Sequence, residues 1–153
     1  MYQELLSEIS EWRARHGETM QAPCSKEGLD RLVIRAATEL AAKIPEGYLD
    51  FLRVANGLDW NGLVLYGAET ASVAGQPNAV IEGVVDATLG WRDNSQDARQ
   101  LVFGESGTCL YVYDPTTSSF QVRDRQSDSI LEEYLDVSGL LDAALKAHRL
   151  SPV

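Results

Sequence analysis

Leu5, Ile9 and Trp12 recur at the spacing of a helix face, with Leu6 alongside, so residues 2–15 are predicted as an amphipathic helix that closes near Gly17. A second stripe, Leu29, Leu32, Val33, Ala36 and Leu40, predicts a helix over about 26–42. Ser25 is placed to cap it, and Glu27 lies where the positive end of the helix dipole favours an acid. Pro45 suits the entry to a third helix, 46–55, whose apolar face is Tyr48, Leu49, Phe51, Leu52 and Ala55. Asn56 or Gly57 should end it in a left-handed cap.

The period then changes. Leu63–Tyr66 is a short apolar run between Gly62 and Gly67 and reads as a strand, whereas residues 68–79, rich in Ala, Gly and Ser and containing Pro77, read as a loop. Val80–Trp91 fits both periods, and the helical reading places a short helix over 84–92. Leu101–Phe103, Cys109–Tyr113 and Phe120–Asp124 are β-rich runs separated by turn-forming residues, which predicts an antiparallel meander. Ser138 is a candidate cap for a closing helix that carries Leu140, Leu141, Ala144, Leu145 and His148. The 153 residues therefore predict a single α+β domain, 1–153, with a mixed, largely antiparallel sheet flanked by helices.

Charge adds a second theme. Thirteen Lys and Arg stand against 23 Asp and Glu, for a net charge of -10. That balance opposes nucleic acid as a partner, because binding there rests on neutralising phosphates. Residues 1–44 are almost balanced, with 7 acids and 6 bases, while residues 45–153 hold 16 acids and 7 bases. Between Arg125 and Lys146 every charged residue is acidic: Asp128, Glu132, Glu133, Asp136 and Asp142. Such a surface either keeps the chain soluble or docks a basic protein. No apolar run reaches the roughly 20 residues of a membrane span. The N-terminus has no export signal pattern, and Cys24 and Cys109 show no pairing logic, so a reducing cytoplasm is the expected setting.

Catalytic and metal chemistry finds little purchase. Gly104-Glu-Ser106-Gly107-Thr108 misplaces the second glycine of a nucleophile elbow and reads as a hairpin turn. His16 and His148 have no ligand-spaced neighbours, and no cofactor or metal motif is present. Asp59 would serve as a general acid or base only if buried, and its setting between Gly57 and Gly62 favours a structural or exposed role. Trp12 fits a core stripe. Trp60 and Trp91 lie beside charged residues and either pack in the core or act as interface anchors.

The segment IPEGYLDFLRVANGLDWNGLVLYG, residues 44–67, resembles the SUKH superfamily, in particular its YrhA-like branch. The likeness rests on Pro45, Tyr48, Phe51, Leu52, Asn56, Gly57, Gly62, Leu63, Tyr66 and Gly67. LVFGESGTCLYVYD, residues 101–114, resembles that family's strand-turn-strand unit, and Tyr134 with the Leu140–Leu145 helix its closing segment. The resemblance implies a non-enzymatic immunity protein that neutralises a cognate polymorphic toxin, with a regulatory or scaffold domain as the alternative; it carries over no catalytic residues. A basic toxin, such as a nuclease, would suit the acidic balance. Charge and exposure, rather than any family motif, put forward Asp59, Trp60, Glu69, Trp91 and Asp93 as toxin contacts.

Overall fold

The computed structural model describes residues 1–93 and 99–150. Helix α1 (Tyr2–Arg15) is followed by α2 (Lys26–Arg35), which runs on into one turn of π-helix at Ala36–Leu40, and then by α3 (Glu46–Val54). Strands β1 (Leu58–Trp60) and β2 (Leu63–Leu65) form a hairpin, β3 (Ala71–Val73) and β4 (Gln76–Ile81) a second one, and α4 (Val84–Asp93) follows. Strands β5 (Leu101–Glu105), β6 (Cys109–Asp114), β7 (Ser119–Asp124) and β8 (Ile130–Tyr134) lead to the closing helix α5 (Val137–Ala147). Six strands make one sheet in the order β1-β2-β5-β6-β7-β8, and β3-β4 stand apart as a pair. All of these strand pairings are antiparallel, with an isolated parallel bridge between Gly67 and Gly83. The fold is α+β.

Alternation along β7 sends Phe120 and Val122 to one side of the sheet and Ser119, Gln121 and Arg123 to the other. The first side is the main core. There Tyr48 of α3 is wholly buried and stacks on Phe103 at 4.4 Å, Phe103 continues to Phe120 at 6.5 Å, and Tyr2 of α1 meets Phe51 edge-on. The Tyr48 hydroxyl donates to the carbonyls of Tyr66 and Phe103, tying α3 to two neighbouring chain segments of the sheet. Strand β2 is too short to accompany β5 along its length. Where it stops, the Thr88 hydroxyl of α4 accepts from the Val102 N–H at 3.0 Å and donates to its carbonyl at 3.4 Å, so a side chain does the work of the missing strand.

Several elements depart from the sequence reading. The predicted loop 68–79 holds strand β3 and most of β4, whose reversal at Ala74-Gly75 uses a positive φ of 75° at Gly75. Pro77 is tolerated because β4 belongs to a two-stranded unit and has a free edge. The α2 helix ends sooner than predicted: Ala41 turns left-handed, and Arg92 donates to the freed Leu40 carbonyl at 3.1 Å. Ser25 does cap α2, accepting from Gly28 N–H at 3.0 Å. Asp136, not Ser138, caps α5, accepting from Gly139 N–H at 2.8 Å, because the helix begins at Val137 and leaves Ser138 inside its first turn. Strands β1 and β8 lie where no element was predicted; Asp59 stands on β1, and the chain reverses at Asn61-Gly62.

Helix α3 also closes differently: Ala55 is extended, and Gly57, two residues on, carries the positive φ, 90°. A Cβ at Gly57 would stand 3.0 Å from both Ile81 Cγ2 and the Leu65 carbonyl oxygen. Gly57→Val should therefore destabilise the fold by about 2 kcal/mol, through backbone strain and crowding together. A thermal melt unchanged by the substitution would contradict this account.

Candidate protein-binding surface

Three chain segments distant in sequence converge on Trp91, in the last turn of α4. Tyr66 directly follows β2, Glu105 ends β5, and Arg125 directly follows β7. The Trp91 indole N–H donates to the Tyr66 hydroxyl at 3.0 Å, and that hydroxyl donates to Glu105 Oε2 at 3.0 Å. The Arg125 guanidinium lies 5.2 Å from the indole centroid and donates to the Ser106 carbonyl at 2.8 Å. Trp91 is half-buried, with part of its surface left to solvent. Burial, above all, raises the Tyr66 hydroxyl's pKa, so the group stays a neutral donor to the Glu105 carboxylate.

Further carboxylates join this region through a close backbone approach. A Cβ on Gly83 would fall 2.8 Å from the Glu69 Cα, so only glycine lets the chain at 82–84 lie against that at 67–70. The Thr70 hydroxyl donates both to this arrangement's polar partner Asp86, at 2.7 Å, and accepts from Gly83 N–H at 3.1 Å. Glu69 pairs with Arg31, and Asp86 with Arg35 at 3.0 Å. The Thr70 hydrogen bond and Arg35 hold the Asp86 carboxyl below its ordinary pKa. Glu82 has the opposite fate. Burial first, then the charges of Glu105 and Asp86, push its pKa up. The outcome is a half-exposed indole linked through Tyr66 to Glu105, with Glu82 in turn repelled by the charges of Glu105 and Asp86. Arg125 already shows that this indole accepts a guanidinium.

Of the residues put forward from the sequence, Trp91 holds the centre of this surface, while Glu69 lies against Gly83 and pairs with Arg31. Asp93 is the exposed last residue of α4. Asp59 and Trp60 sit elsewhere, on β1 beside α1. Trp60 is a core residue, 7 % exposed, meeting Trp12 edge-on at 5.2 Å beneath the Arg13 guanidinium. The Asp59 side chain is exposed and its carbonyl accepts from Arg13. Tyr66, Glu82, Glu105 and Arg125 were missed as site residues. Only Glu82 left a trace, as one of four acids in the cation-free stretch between Arg53 and Arg92.

Ser106 has the turn role its glycine spacing suggested: its hydroxyl accepts from Cys109 N–H at 3.0 Å. His16 stacks on Trp12 with centroids 3.8 Å apart, and His148 Nδ1 lies 2.9 Å from the Ala144 carbonyl oxygen. Cys24 and Cys109 are free, half-buried thiols. Among the described residues, no group of three or more His, Cys, Asp or Glu is placed to hold a metal ion, and no helix is long and apolar enough to cross a membrane. No protein-family model matches the chain, and no curated protein matches it.

Proposed function

We propose that this protein is a non-enzymatic immunity protein of SUKH type, which binds and neutralises a cognate basic toxin in the cytoplasm of the cell that makes both. The observation that carries the reading is the surface around Trp91, an indole that already stacks with a guanidinium and is joined through Tyr66 to Glu105, whose charge acts on Glu82. Such a surface offers an aromatic anchor inside a ring of negative charge, which supports tight contact and fast, steered association. The resemblance over residues 44–67 and the surplus of acids after residue 45 support it from the sequence side. Asp93, at the end of the same helix, and Asp59 add to the field that an approaching cationic protein meets.

The test is rescue. Cells expressing the product of the gene directly upstream should survive only when this chain is co-produced, and Trp91→Ala with Glu105→Lys should abolish rescue while the variant still folds. An upstream product that is harmless would turn the reading towards an endogenous regulatory or scaffold partner.

Glu82 adds a pH signature. Its carboxyl is raised in the free protein, so it holds a proton in a range where an unperturbed glutamate has lost it. A docking cation favours the charged form and expels that proton. Affinity for the toxin should therefore strengthen as pH rises from 4.5 through the Glu82 titration and level off above it, whereas Glu82→Gln should flatten the dependence. Calorimetry in two buffers of different ionisation enthalpy would detect the released proton; equal heats at the same pH would contradict the role of Glu82.

A further inference from the structure

The two outer strands of the six-stranded sheet are finished in different ways. At β1, three residues long, Arg13 of α1 reaches across and donates to the Asp59 carbonyl, and Trp60 is packed beneath the same guanidinium. At β8, five residues long, no other strand or backbone hydrogen bond covers the outer side among the described residues. An exposed edge of this kind presents unpaired N–H and C=O groups to any extended chain, and proteins ordinarily blunt it with Lys, Pro or a covering element. Here Ile130 is 49 % exposed, Leu131 54 % and Leu135 95 %, an unusual concentration of apolar surface on six consecutive residues. Arg123 pairs with Ile130 and Val122 with Glu132, so Leu131 is the extra residue of a bulge, and Ile130 and Leu131 together form an exposed apolar step at the start of the edge.

The charges on the strand say what fits it. Among the described residues Glu132 and Glu133 have no cationic partner: Glu132 accepts from the Tyr134 hydroxyl, and Glu133 from the Ser119 hydroxyl at 3.3 Å. Neighbouring cations are engaged elsewhere, Arg123 inside the sheet face and Lys146 with Asp142 at 2.8 Å. Pairing β8 with its equivalent in a second copy over the full strand would set Glu132 against Glu132, and like charges directly opposite destabilise a ladder. Two chains of net charge -10 would also repel. The edge therefore rejects its own kind and suits a cationic strand.

We propose that β8 is a docking strand that extends the sheet with a cationic extended segment of a partner protein, placing two consecutive Lys or Arg against Glu132 and Glu133 and β-branched or aliphatic residues beside the Ile130-Leu131 bulge. In the antiparallel sense the partner segment reads basic-basic-apolar-apolar. Backbone ladder bonds supply affinity, and the two acids and two apolar residues supply register. The site uses a different part of the sheet from the Trp91 surface and stands whether or not a toxin docks there.

The experiment uses the full chain and a labelled synthetic peptide, Thr-Arg-Lys-Val-Ile-Thr with blocked ends. Three companions accompany it: a scrambled peptide of the same composition, the same sequence N-methylated at alternate residues in each of the two phases, and an acidic analogue with Glu for Arg and Lys. Anisotropy should show saturable binding of the designed peptide, at least 10-fold weaker binding of the scrambled one, and loss with one phase of N-methylation but not the other. Hydrogen exchange should slow at residues 129–135 on binding. Glu132→Lys with Glu133→Lys should weaken binding at least 10-fold, whereas the charge-matched pair Glu18→Lys with Glu27→Lys should weaken it less than 3-fold. Equal binding of the scrambled peptide, indifference to both N-methylation phases, or protection away from 129–135 would overturn the proposal, as would no binding at millimolar peptide. Concentration-dependent dimerisation that protects 129–135 without peptide would also overturn it, in favour of a second copy. Because the peptide arms need only the wild-type chain, they decide the matter even if the lysine variants fail to fold.

Discussion

Tyr48→Ala should bring the protein close to unfolding at room temperature, with a loss of about 4 kcal/mol out of a total that for a domain of this kind is about 5–15 kcal/mol. The side chain is fully buried, stacks on Phe103 at 4.4 Å and touches Phe51 at 5.4 Å, so truncation opens a cavity at the junction of α3 and the sheet. It also removes the hydroxyl that serves the carbonyls of Tyr66 and Phe103. Tyr48→Phe separates the two contributions. It keeps the ring packing and should cost only about 1–2 kcal/mol, the penalty for under-satisfied buried carbonyls. Urea titration checks both: the midpoints should fall in that order with the slope unchanged for Tyr48→Phe. A phenylalanine variant as stable as the parent would show that the hydroxyl does not bridge the two segments.

Arg123→Ala should cost about 3 kcal/mol, by a different route. Arg123 projects from β7 on the side opposite the main core, where its side chain is 6 % exposed. Its Nε donates to Gln121 Oε1 at 2.8 Å and its Nη1 to Gln100 Oε1 at 2.7 Å, with Asp128 at 3.5 Å and Asp114 at 3.9 Å. Gln100 and Gln121 are themselves buried. Taking the guanidinium away strands two buried amides and a largely buried carboxylate, which is what makes breaking such a cluster expensive even where the intact cluster adds little stability. Lysine should recover part of the loss, since it restores the charge but not the fork that spans two acceptors. Chemical denaturation of Arg123→Ala, Arg123→Lys and the parent measures this, and an alanine variant within about 0.5 kcal/mol of the parent would refute the role given to the cluster.

Much of the scaffold was legible along the chain. The stripe through Leu5, Ile9 and Trp12 became α1, the Tyr48 to Leu52 face became α3, and the three β-rich runs became the meander β5-β6-β7 in the predicted order. The short helix favoured over 84–92 formed as α4 at Val84–Asp93. What escaped was structure whose pattern is not its own. Strand β1 has three residues, one of them Asp59; β8 reads Ile-Leu-Glu-Glu-Tyr, with no apolar-polar alternation; and β3-β4, Ala-Ser-Val and Gln-Pro-Asn-Ala-Val-Ile, carries Pro77 and several small or polar residues that local propensity assigns to loops. Each forms because the adjacent strand offers a ladder across a short reversal: β2 for β1, β7 for β8, and β3 and β4 for one another.

The same division runs through the surface. Net charge, the acidic bias after residue 45, the three tryptophans and the α+β class follow from residue identity and periodicity, properties that neighbouring residues carry along the chain. Only the tertiary structure decided that Trp60 lies under Arg13 in the core while Trp91 stays half-open. Only it joined Tyr66, Glu105 and Arg125 around that indole, and closed one sheet edge while leaving the outer side of β8 without a strand among the described residues. Accessibility and proximity are set by which segments the packed core holds together, and a residue's nearest neighbours in space here lie tens of positions away in sequence, beyond the reach of any local pattern.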